Sequence, residues 1–160
     1  GDRVPFMSAM TALSAEDGET RSYLEIVDAL RREGSRSTAD LAELWRRMAF
    51  YVLVSSTDDH LRNHGLLHDG IGWRLAPAYD LTHARGAGYT RRHQMTLGGK
   101  RDGFTANDLA GLGKQFGIRH DGKPVIGRVR AALTQWDALA EQWGVPVKNI
   151  AQIQSQFRFK

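Results

Sequence analysis

A polar turn near the middle of the chain carries most of the residue types that could do chemistry. The turn runs from Ser55 to Gly65, and its two carboxylates, amide and two imidazoles belong to Asp58, Asp59, Asn63, His60 and His64. Apolar runs flank the turn on both sides. A turn that is anchored in this way can hold reactive groups rigidly.

Asp58 and Asn63 have a spacing that suits phosphoryl transfer. This reaction needs an Asp that orients or deprotonates the attacking hydroxyl, and an Asn and a second Asp that hold Mg²⁺ on the nucleotide phosphates. Protein kinases place the Asp and the Asn of their catalytic loop at the same spacing as Asp58 and Asn63. Such a pair occurs often by chance, so its meaning depends on what surrounds it.

A further candidate, Asp80, lies just beyond a predicted β-hairpin. The dipeptide Asp69-Gly70 separates two short apolar runs, which is a good hairpin signal. Because a hairpin returns the chain to where it started, we expect Asp80 to lie near Asp58 and Asn63. Oxygen ligands from carboxylates and amides suit a hard cation such as Mg²⁺. The sequence therefore predicts a magnesium and phosphoryl-transfer centre made by the turn and Asp80.

The longest apolar helical pattern leads directly into the turn. Ser37 and Asp40 have the spacing of a capping box, and apolar residues recur from Leu41 onward at helical spacing. The second half of this pattern, up to Val54, is apolar on every side, which is typical of a helix at the centre of a core. The predicted helix thus delivers the chain into the turn from the protein interior.

Two further helices are predicted before this central one. A short helix is expected near Met7 to Leu13, within an otherwise irregular entry. Ser22 and Glu25 have capping-box spacing, and Gly34 ends the helix that follows them.

The chain beyond the hairpin is predicted to form a loop and then helices. Residues 82–103 are rich in Gly, Arg, His and Thr, which favours a long mobile loop with one short strand at residues 95–97. Helices are predicted from Thr105 to about Gly117, from Pro124 to Trp143, and from Pro146 onward.

The composition limits the class of protein. A chain of 160 residues suits one domain with a proper hydrophobic core, and the pattern as a whole predicts a mainly α fold with a small β-hairpin over residues 1–160. The absence of cysteine excludes disulfides and thiolate metal sites. No run approaches the roughly 18 apolar residues of a membrane helix, and no signal peptide is visible, which favours the cytoplasm. The net charge of +4 is a mild bias toward anionic partners.

Two segments match the motifs of a known family. The turn reads Thr57-Asp58-Asp59-His60-Leu61-Arg62-Asn63, and the segment after the hairpin reads Pro77-Ala78-Tyr79-Asp80. These segments resemble the HipA family of bacterial serine/threonine kinases, whose turn reads roughly T-D-x-H-x-K-N and whose later motif reads P-x-Y-D. The resemblance is close from about Met7 to Leu81, and the helical remainder suits the family without a sharp motif.

The resemblance implies a fold, an activity and a set of site residues. Family members are toxin components of toxin–antitoxin modules, with a protein-kinase-like fold related to phosphatidylinositol kinases. The resemblance implies that Asp58 is the catalytic Asp. His60 and Arg62 belong to the same catalytic set, as neighbours that brace Asp58 or face the phosphates. It also implies that Asn63, Tyr79 and Asp80 bind ATP, with Asn63 and Asp80 as the Mg²⁺ ligands. Arg62 departs from the family's Lys, and a planar guanidinium contacts phosphate differently from an ammonium.

One part of a kinase is missing from this sequence. Kinases cover the nucleotide phosphates with an amino-terminal glycine-rich loop and supply a strand Lys, but neither precedes Asp58, and Gly98-Gly99-Lys100 comes after it. The resemblance therefore implies a carboxy-terminal lobe without its amino-terminal lobe, and we expect this chain alone to have little or no kinase activity. The expected partners are the missing lobe, a protein substrate, and a HipB-like antitoxin with DNA bound through it.

Two other functions fit parts of the pattern. A metal-dependent hydrolase could use an acid and imidazole cluster as ligands of a transition metal, namely Asp58, Asp59, His60, His64 and Asp80. A non-catalytic module could instead dock an antitoxin-like partner or DNA through the basic loop, at residues 91–93 and 100–101. The kinase interpretation is favoured, because it alone requires Asn63 and the Tyr79-Asp80 segment.

Overall fold

The computed structural model describes residues 3–82, 92–119 and 122–158, and it is mostly helical with a small antiparallel sheet. Its elements in chain order are β1 (Phe6–Ser8), α1 (Ala9–Ala12), α2 (Tyr23–Glu33), α3 (Ser37–Leu53), β2 (Gly65–His68), β3 (Trp73–Leu75), α4 (Ala106–Leu112), α5 (Lys123–Leu133), α6 (Trp136–Gln142) and α7 (Val147–Gln154). Two short 3-10 turns lie at Leu61–Asn63 and Gly113–Phe116. Among the helices described, none has the length and apolar character to cross a lipid bilayer.

The sheet has three strands in the order β1-β2-β3, so it is larger than the predicted hairpin. The hairpin itself is confirmed, with Leu66 of β2 opposite Leu75 of β3. On its other side Leu66 lies opposite Met7 of β1, where the sequence predicted the start of a helix. Three residues are too few to show the alternating pattern of a strand. The predicted helix is therefore shorter, and it begins only after Ser8, whose side chain accepts a hydrogen bond from the Thr11 amide.

Helix α3 is the central element of the core, as its apolar pattern predicted. Leu44, Trp45 and Met48 are fully buried, and the helix contacts α2, α5 and β3. The buried face continues to the last residue of the helix, Leu53. The polar turn that follows is therefore anchored to the most buried part of the molecule.

The predicted capping box at the start of α3 is wrong, although its residues do bind elsewhere. No side chain caps this helix, and the Ser37 hydroxyl instead donates to the Leu30 carbonyl of α2, 2.6 Å away. The buried Asp40 carboxylate accepts hydrogen bonds from the Arg74 guanidinium and from the Leu75 amide. The side chains that would form a local cap therefore bind distant partners on α2 and β3. The bonds of Asp40 to β3 also attach the hairpin to α3.

The predicted helix from Pro124 to Trp143 is two helices, α5 and α6. The break falls at Thr134, whose hydroxyl donates to the Ala131 carbonyl at 2.7 Å. A hydroxyl that bonds back to the preceding turn competes with the helix and bends it. After this break Trp143, the predicted end of the single helix, is 80% exposed. Pro146 precedes α7 as predicted, and its carbonyl accepts from the Asn149 amide.

The predicted loop at residues 82–103 is only partly within the described structure. Residues 83–91, including Arg91 of the basic loop, lie outside the described residues. Residues 92–100 are held in place, because Thr96 pairs with Ser22 and Leu97 pairs with Lys100 in isolated β-bridges. Met95 and Leu97 are buried in the core, so this part of the predicted mobile loop is a fixed element of the fold.

The central position of α3 predicts the cost of a cavity there. Leu44→Ala should lower the free energy of unfolding by about 3 kcal/mol, because the surrounding core relaxes only partly around the lost side chain. Leu139→Ala is the matched control, because Leu139 is 45% exposed and should cost less than about 1 kcal/mol. Urea unfolding of the two variants measures both values, and equal costs would contradict a core centred on α3.

Candidate functional site

The carboxy-terminal segment fixes the direction in which the chain leaves α3. Ser55 adopts a left-handed backbone conformation with φ 56°, which is uncommon for a residue with a side chain. Its hydroxyl donates to the Gln156 carbonyl at 2.7 Å, and the Arg158 amide donates to the Leu53 carbonyl at 2.7 Å. Hydrogen bonds on both sides therefore fix Ser55, and the chain changes direction there before it reaches Asp58.

Asp59 is the buried anchor of the turn. Its side chain is 0% exposed. One carboxylate oxygen accepts the Tyr23 hydroxyl at 2.9 Å and the His93 Nδ1 at 3.0 Å, and the other accepts the Gln94 amide at 2.8 Å. A buried carboxylate is tolerated only when donors compensate for its lost hydration. The turn is therefore fixed to α2 through Tyr23 and to residues 92–100 through His93 and Gln94.

The donors to Asp59 are themselves held in donating form. Burial, and then the nearby Asp59, raise the pKa of Tyr23 well above its usual value, so the phenol keeps its proton. His93 is fully buried against the Phe104 ring, and its Nε2 has no hydrogen-bond partner among the described residues. The imidazole nitrogen that faces the Asp59 carboxylate, Nδ1, is the one placed to carry a hydrogen.

Asp58, the next residue back along the chain, points the other way. It is only half-buried, and its Oδ1 accepts a hydrogen bond from the Gln94 side-chain amide at 2.9 Å. The His60 Nε2 lies 3.6 Å from the same oxygen. A carboxylate that is oriented by neighbours and still reaches the surface can accept a proton from an incoming hydroxyl.

Asn63 closes the turn from inside. Its side-chain amide nitrogen donates to the Asp58 carbonyl at 2.8 Å, and the residue is buried at the end of the 3-10 turn. This bond explains why an amide is needed at this spacing, and it leaves the side-chain oxygen without a described partner. An amide oxygen is an acceptable ligand for Mg²⁺, so the donor set fits the predicted metal, and the metal role of Asn63 stays a prediction.

The hairpin returns Tyr79, the residue before Asp80, to the turn. The Tyr79 hydroxyl donates to the Arg62 carbonyl at 2.5 Å. The Tyr79 ring also covers Gly65, where an added Cβ would lie 3.1 Å from the ring. Asp80 follows in a left-handed conformation with φ 53°, and its side chain is exposed. Its predicted role as a Mg²⁺ ligand is compatible with this exposure and stays a prediction.

A small polar cleft lies beside the turn, with His60 and Arg62 in its lining. It has a volume of about 140 Å³ and is lined by the loop at residues 16–21, by residues 60–62 of the turn, and by Gln94 and Arg101. Arg62 is exposed and forms an ion pair with Asp17 across this cleft. The predicted phosphate-facing residue therefore has an acidic partner that the sequence did not indicate.

A larger depression of about 320 Å³ adjoins the segment that carries Tyr79 and Asp80, since Ala78 and Leu81 line it. It is an apolar groove between α3 and α5, with Phe50, Val125 and Val129 in its lining. None of the predicted site residues lines it. Because His60 and Arg62 line the polar cleft, the turn together with this cleft is the candidate reaction site.

His64, near the end of the polar turn, is a buried residue. It is 1% exposed and lies between the rings of Tyr23 and Tyr51, with centroid distances of 5.3 Å and 6.0 Å. It follows the 3-10 turn directly and precedes β2. Because burial disfavours the charged form, the pKa of His64 falls from 6.5 to about 4.

The metal cluster of the hydrolase interpretation is not formed within the described part of the chain. No group of three or more His, Asp or Glu side chains there could hold a metal ion. His64 is buried between two tyrosines, and both oxygens of Asp59 are occupied by hydrogen bonds. The observed geometry therefore does not favour a transition-metal hydrolase.

The sequence missed three residues that hold the site together. Tyr23, His93 and Gln94 lie 36, 34 and 35 positions from Asp59. No local spacing marks them, because they reach the turn only through the packing of α2 and the bridge between Ser22 and Thr96. The sequence held no local signal for His93 and Gln94, and for Tyr23 it showed only a place on the predicted helix after Ser22.

Comparison with known protein families shows to which family this chain belongs. The model of the HipA-like C-terminal domain matches residues 2–157. This chain belongs to the HipA-like C-terminal domain family. The suspected resemblance is confirmed, and it extends beyond the Asp58 and Asp80 motifs to nearly the whole chain.

Two known proteins are similar to the HipA-like chain, one in sequence and one in structure. A Sinorhizobium fredii protein named "Putative kinase Y4mE" is 32% identical over 71 residues, which cover 44% of this chain and 16% of that protein. A Shewanella oneidensis MR-1 structure of the toxin–antitoxin system HipA, HipB and its operator DNA has a TM-score of 0.72 at 18% identity. The match covers 96% of this chain and 42% of that one, so it shows a common fold. The HipA-like chain spans less than half of either relative.

The burial of His64 predicts a loss of stability in acid. The pKa of His64 is about 4 in the folded protein against 6.5 when unperturbed, so the unfolded chain binds more protons between these values. The free energy of unfolding should therefore fall as pH drops from about 7 to about 4, by up to about 3 kcal/mol from this residue.

Comparison with His64→Phe isolates this contribution, because Phe keeps a ring between the two tyrosines and does not titrate. Urea unfolding at several pH values should show the wild type losing stability relative to the variant as pH falls. A difference that does not change with pH would contradict the assignment.

Proposed function

We propose that this chain is the carboxy-terminal catalytic lobe of a HipA-like serine/threonine protein kinase with a protein-kinase-like fold. The kinase transfers the γ-phosphate of ATP to a protein hydroxyl, as the toxin of a toxin–antitoxin system. The observation that carries the proposal is the hydrogen bond from the Tyr79 hydroxyl to the Arg62 carbonyl, which joins the segment of Asp80 to the turn of Asp58 and Asn63. Family membership supports the same reading.

Asp58 has the proton-accepting role in this proposal. The oxygen of a Ser or Thr hydroxyl attacks the γ-phosphorus, the bond from that phosphorus to the bridging oxygen of ADP breaks, and the hydroxyl proton passes to Asp58. Its carboxylate suits this role, since it is half-buried and held by Gln94 and His60 on one oxygen. Orientation of this kind is most of what a kinase active site supplies.

Asn63 and Asp80 would hold Mg²⁺, and Tyr79 positions Asp80 beside the turn. Bound Mg²⁺ neutralises negative charge on the phosphate oxygens. His60 braces Asp58, and Arg62 faces the phosphates. The ion pair of Arg62 with Asp17 is exposed on both sides, so little is lost when Arg62 exchanges Asp17 for a phosphate.

The remaining parts of the kinase lie outside these 160 residues in our proposal. The glycine-rich lid and the strand Lys belong to an amino-terminal lobe, which is consistent with the 42% share of the Shewanella HipA chain that the match covers. That relative was solved with HipB and operator DNA, which supports an antitoxin partner, and DNA through it, for the whole protein. We place such a protein in the cytoplasm.

The proposal predicts the effect of removing each acidic residue. In the full-length gene product, Asp58→Asn and Asp80→Asn should each lower transfer of labelled γ-phosphate from Mg²⁺-ATP to lysate proteins about a thousandfold. Asp28→Asn on α2 is the matched control, because Asp28 is exposed and away from the turn. Wild-type transfer that survives both substitutions would contradict the proposal.

Two further measurements distinguish the kinase from the hydrolase and test the need for an amino-terminal lobe. Chelation of Mg²⁺ should abolish transfer, whereas tightly bound zinc, manganese or iron in the purified protein would favour the hydrolase. The 160-residue chain alone should transfer little or no phosphate, and robust transfer by it would refute the need for a separate nucleotide lid.

A further inference from the structure

We propose that Gln94 is a positioning residue for the Asp58 carboxylate, and that the buried Asp59 holds Gln94 in place. The proposal rests on the role of Asp58 given above. It assigns a role to a side chain that lies 36 positions away in the sequence and belongs to neither of the motifs at the turn and at Tyr79-Asp80.

Gln94 binds two consecutive carboxylates with different parts of itself. Its main-chain amide donates to Asp59 at 2.8 Å, and its side-chain amide donates to Oδ1 of Asp58 at 2.9 Å. Both distances are those of well-formed hydrogen bonds. The first bond is part-buried and fixes the backbone, and the second lies at the exposed edge of the site.

The bond to Asp58 has a direct consequence for proton transfer. A carboxylate can rotate about its last side-chain torsion, which is broad and easily changed. Holding Oδ1 stops this rotation and leaves Oδ2, which has no hydrogen bond to the described residues, to receive a proton. His60 is a weaker support, because its Nε2 is 3.6 Å from the same oxygen.

The segment that carries Gln94 is itself rigidly held. The His93 amide donates to the Arg101 carbonyl at 2.7 Å, and the Thr96 amide donates to the Arg21 carbonyl at 2.8 Å. His93 also binds Asp59 from the buried side. Gln94 therefore cannot drift away from Asp58 unless these contacts break as well, and its side chain stays on the wall of the polar cleft.

Two substitutions in the full-length protein test this role. Gln94→Leu removes the donor and keeps most of the volume, and it should lower kcat about ten- to a hundredfold with the KM for ATP unchanged. Gln94→Glu keeps the shape, but a carboxyl group donates only while it is protonated. The ratio of wild-type to Gln94→Glu kcat should therefore rise as pH increases from about 5.5 to about 8.

The matched controls are Gln142→Leu and Gln142→Glu, because Gln142 is exposed on α6 away from the turn. Neither should change kcat. Because the Gln94 side chain is exposed, its variants should also unfold at the wild-type temperature. Unchanged kcat in Gln94→Leu, or a Gln94→Glu ratio that is independent of pH, would overturn the proposal.

A second measurement keeps the two proposals separate. If the wild type transfers no phosphate, the kinase function fails, and nuclear magnetic resonance of ¹⁵N-labelled protein then decides whether Gln94 holds Asp58. The side-chain amide signals of Gln94 should shift on Asp58→Asn and stay in place on Asp28→Asn. Gln94 side-chain amide signals that do not shift on Asp58→Asn would overturn the positioning role.

Discussion

The buried carboxylate of Asp59 is the constraint on which the site depends. A carboxylate with no exposure is costly unless several donors replace its water. Here the donors are the Tyr23 hydroxyl, the His93 ring and the Gln94 amide, which come from two distant parts of the chain. The turn can therefore take this conformation only where α2 and residues 92–100 meet, and the local motif alone does not determine it.

The reactive groups are placed as a consequence of this anchor. Whereas Asp59 is buried, its neighbour Asp58 is half-buried and accepts a hydrogen bond from the Gln94 side chain, which lines the polar cleft. Asn63 closes the turn onto the Asp58 carbonyl, and Tyr79 fastens the far end of the hairpin to the Arg62 carbonyl. Left-handed Ser55 and Asp80 stand at the two ends of this assembly. Unusual backbone conformations persist where the surrounding structure holds them in place.

Local patterns predicted the parts that depend on local forces. The apolar surface of α3, the hairpin at Asp69-Gly70 and the return of Tyr79 to the turn all follow from periodicity and turn chemistry. The strand β1, the burial of His64 and the role of Gln94 depend on partners far away in the sequence, so that no spacing reveals them. The capping box predicted at Ser37 and Asp40 failed for the same reason, because Leu30 and Arg74 compete for these side chains.

The most direct test of this account is hydrogen exchange at the main-chain amide of Gln94. This amide should exchange slowly in the wild type, because it donates to a buried carboxylate. In Asp59→Ala its exchange should be at least about tenfold faster, while the amides of α7 keep their protection. Fast exchange of the Gln94 amide in the wild type, or exchange that Asp59→Ala leaves unchanged, would show that Asp59 does not organise the site.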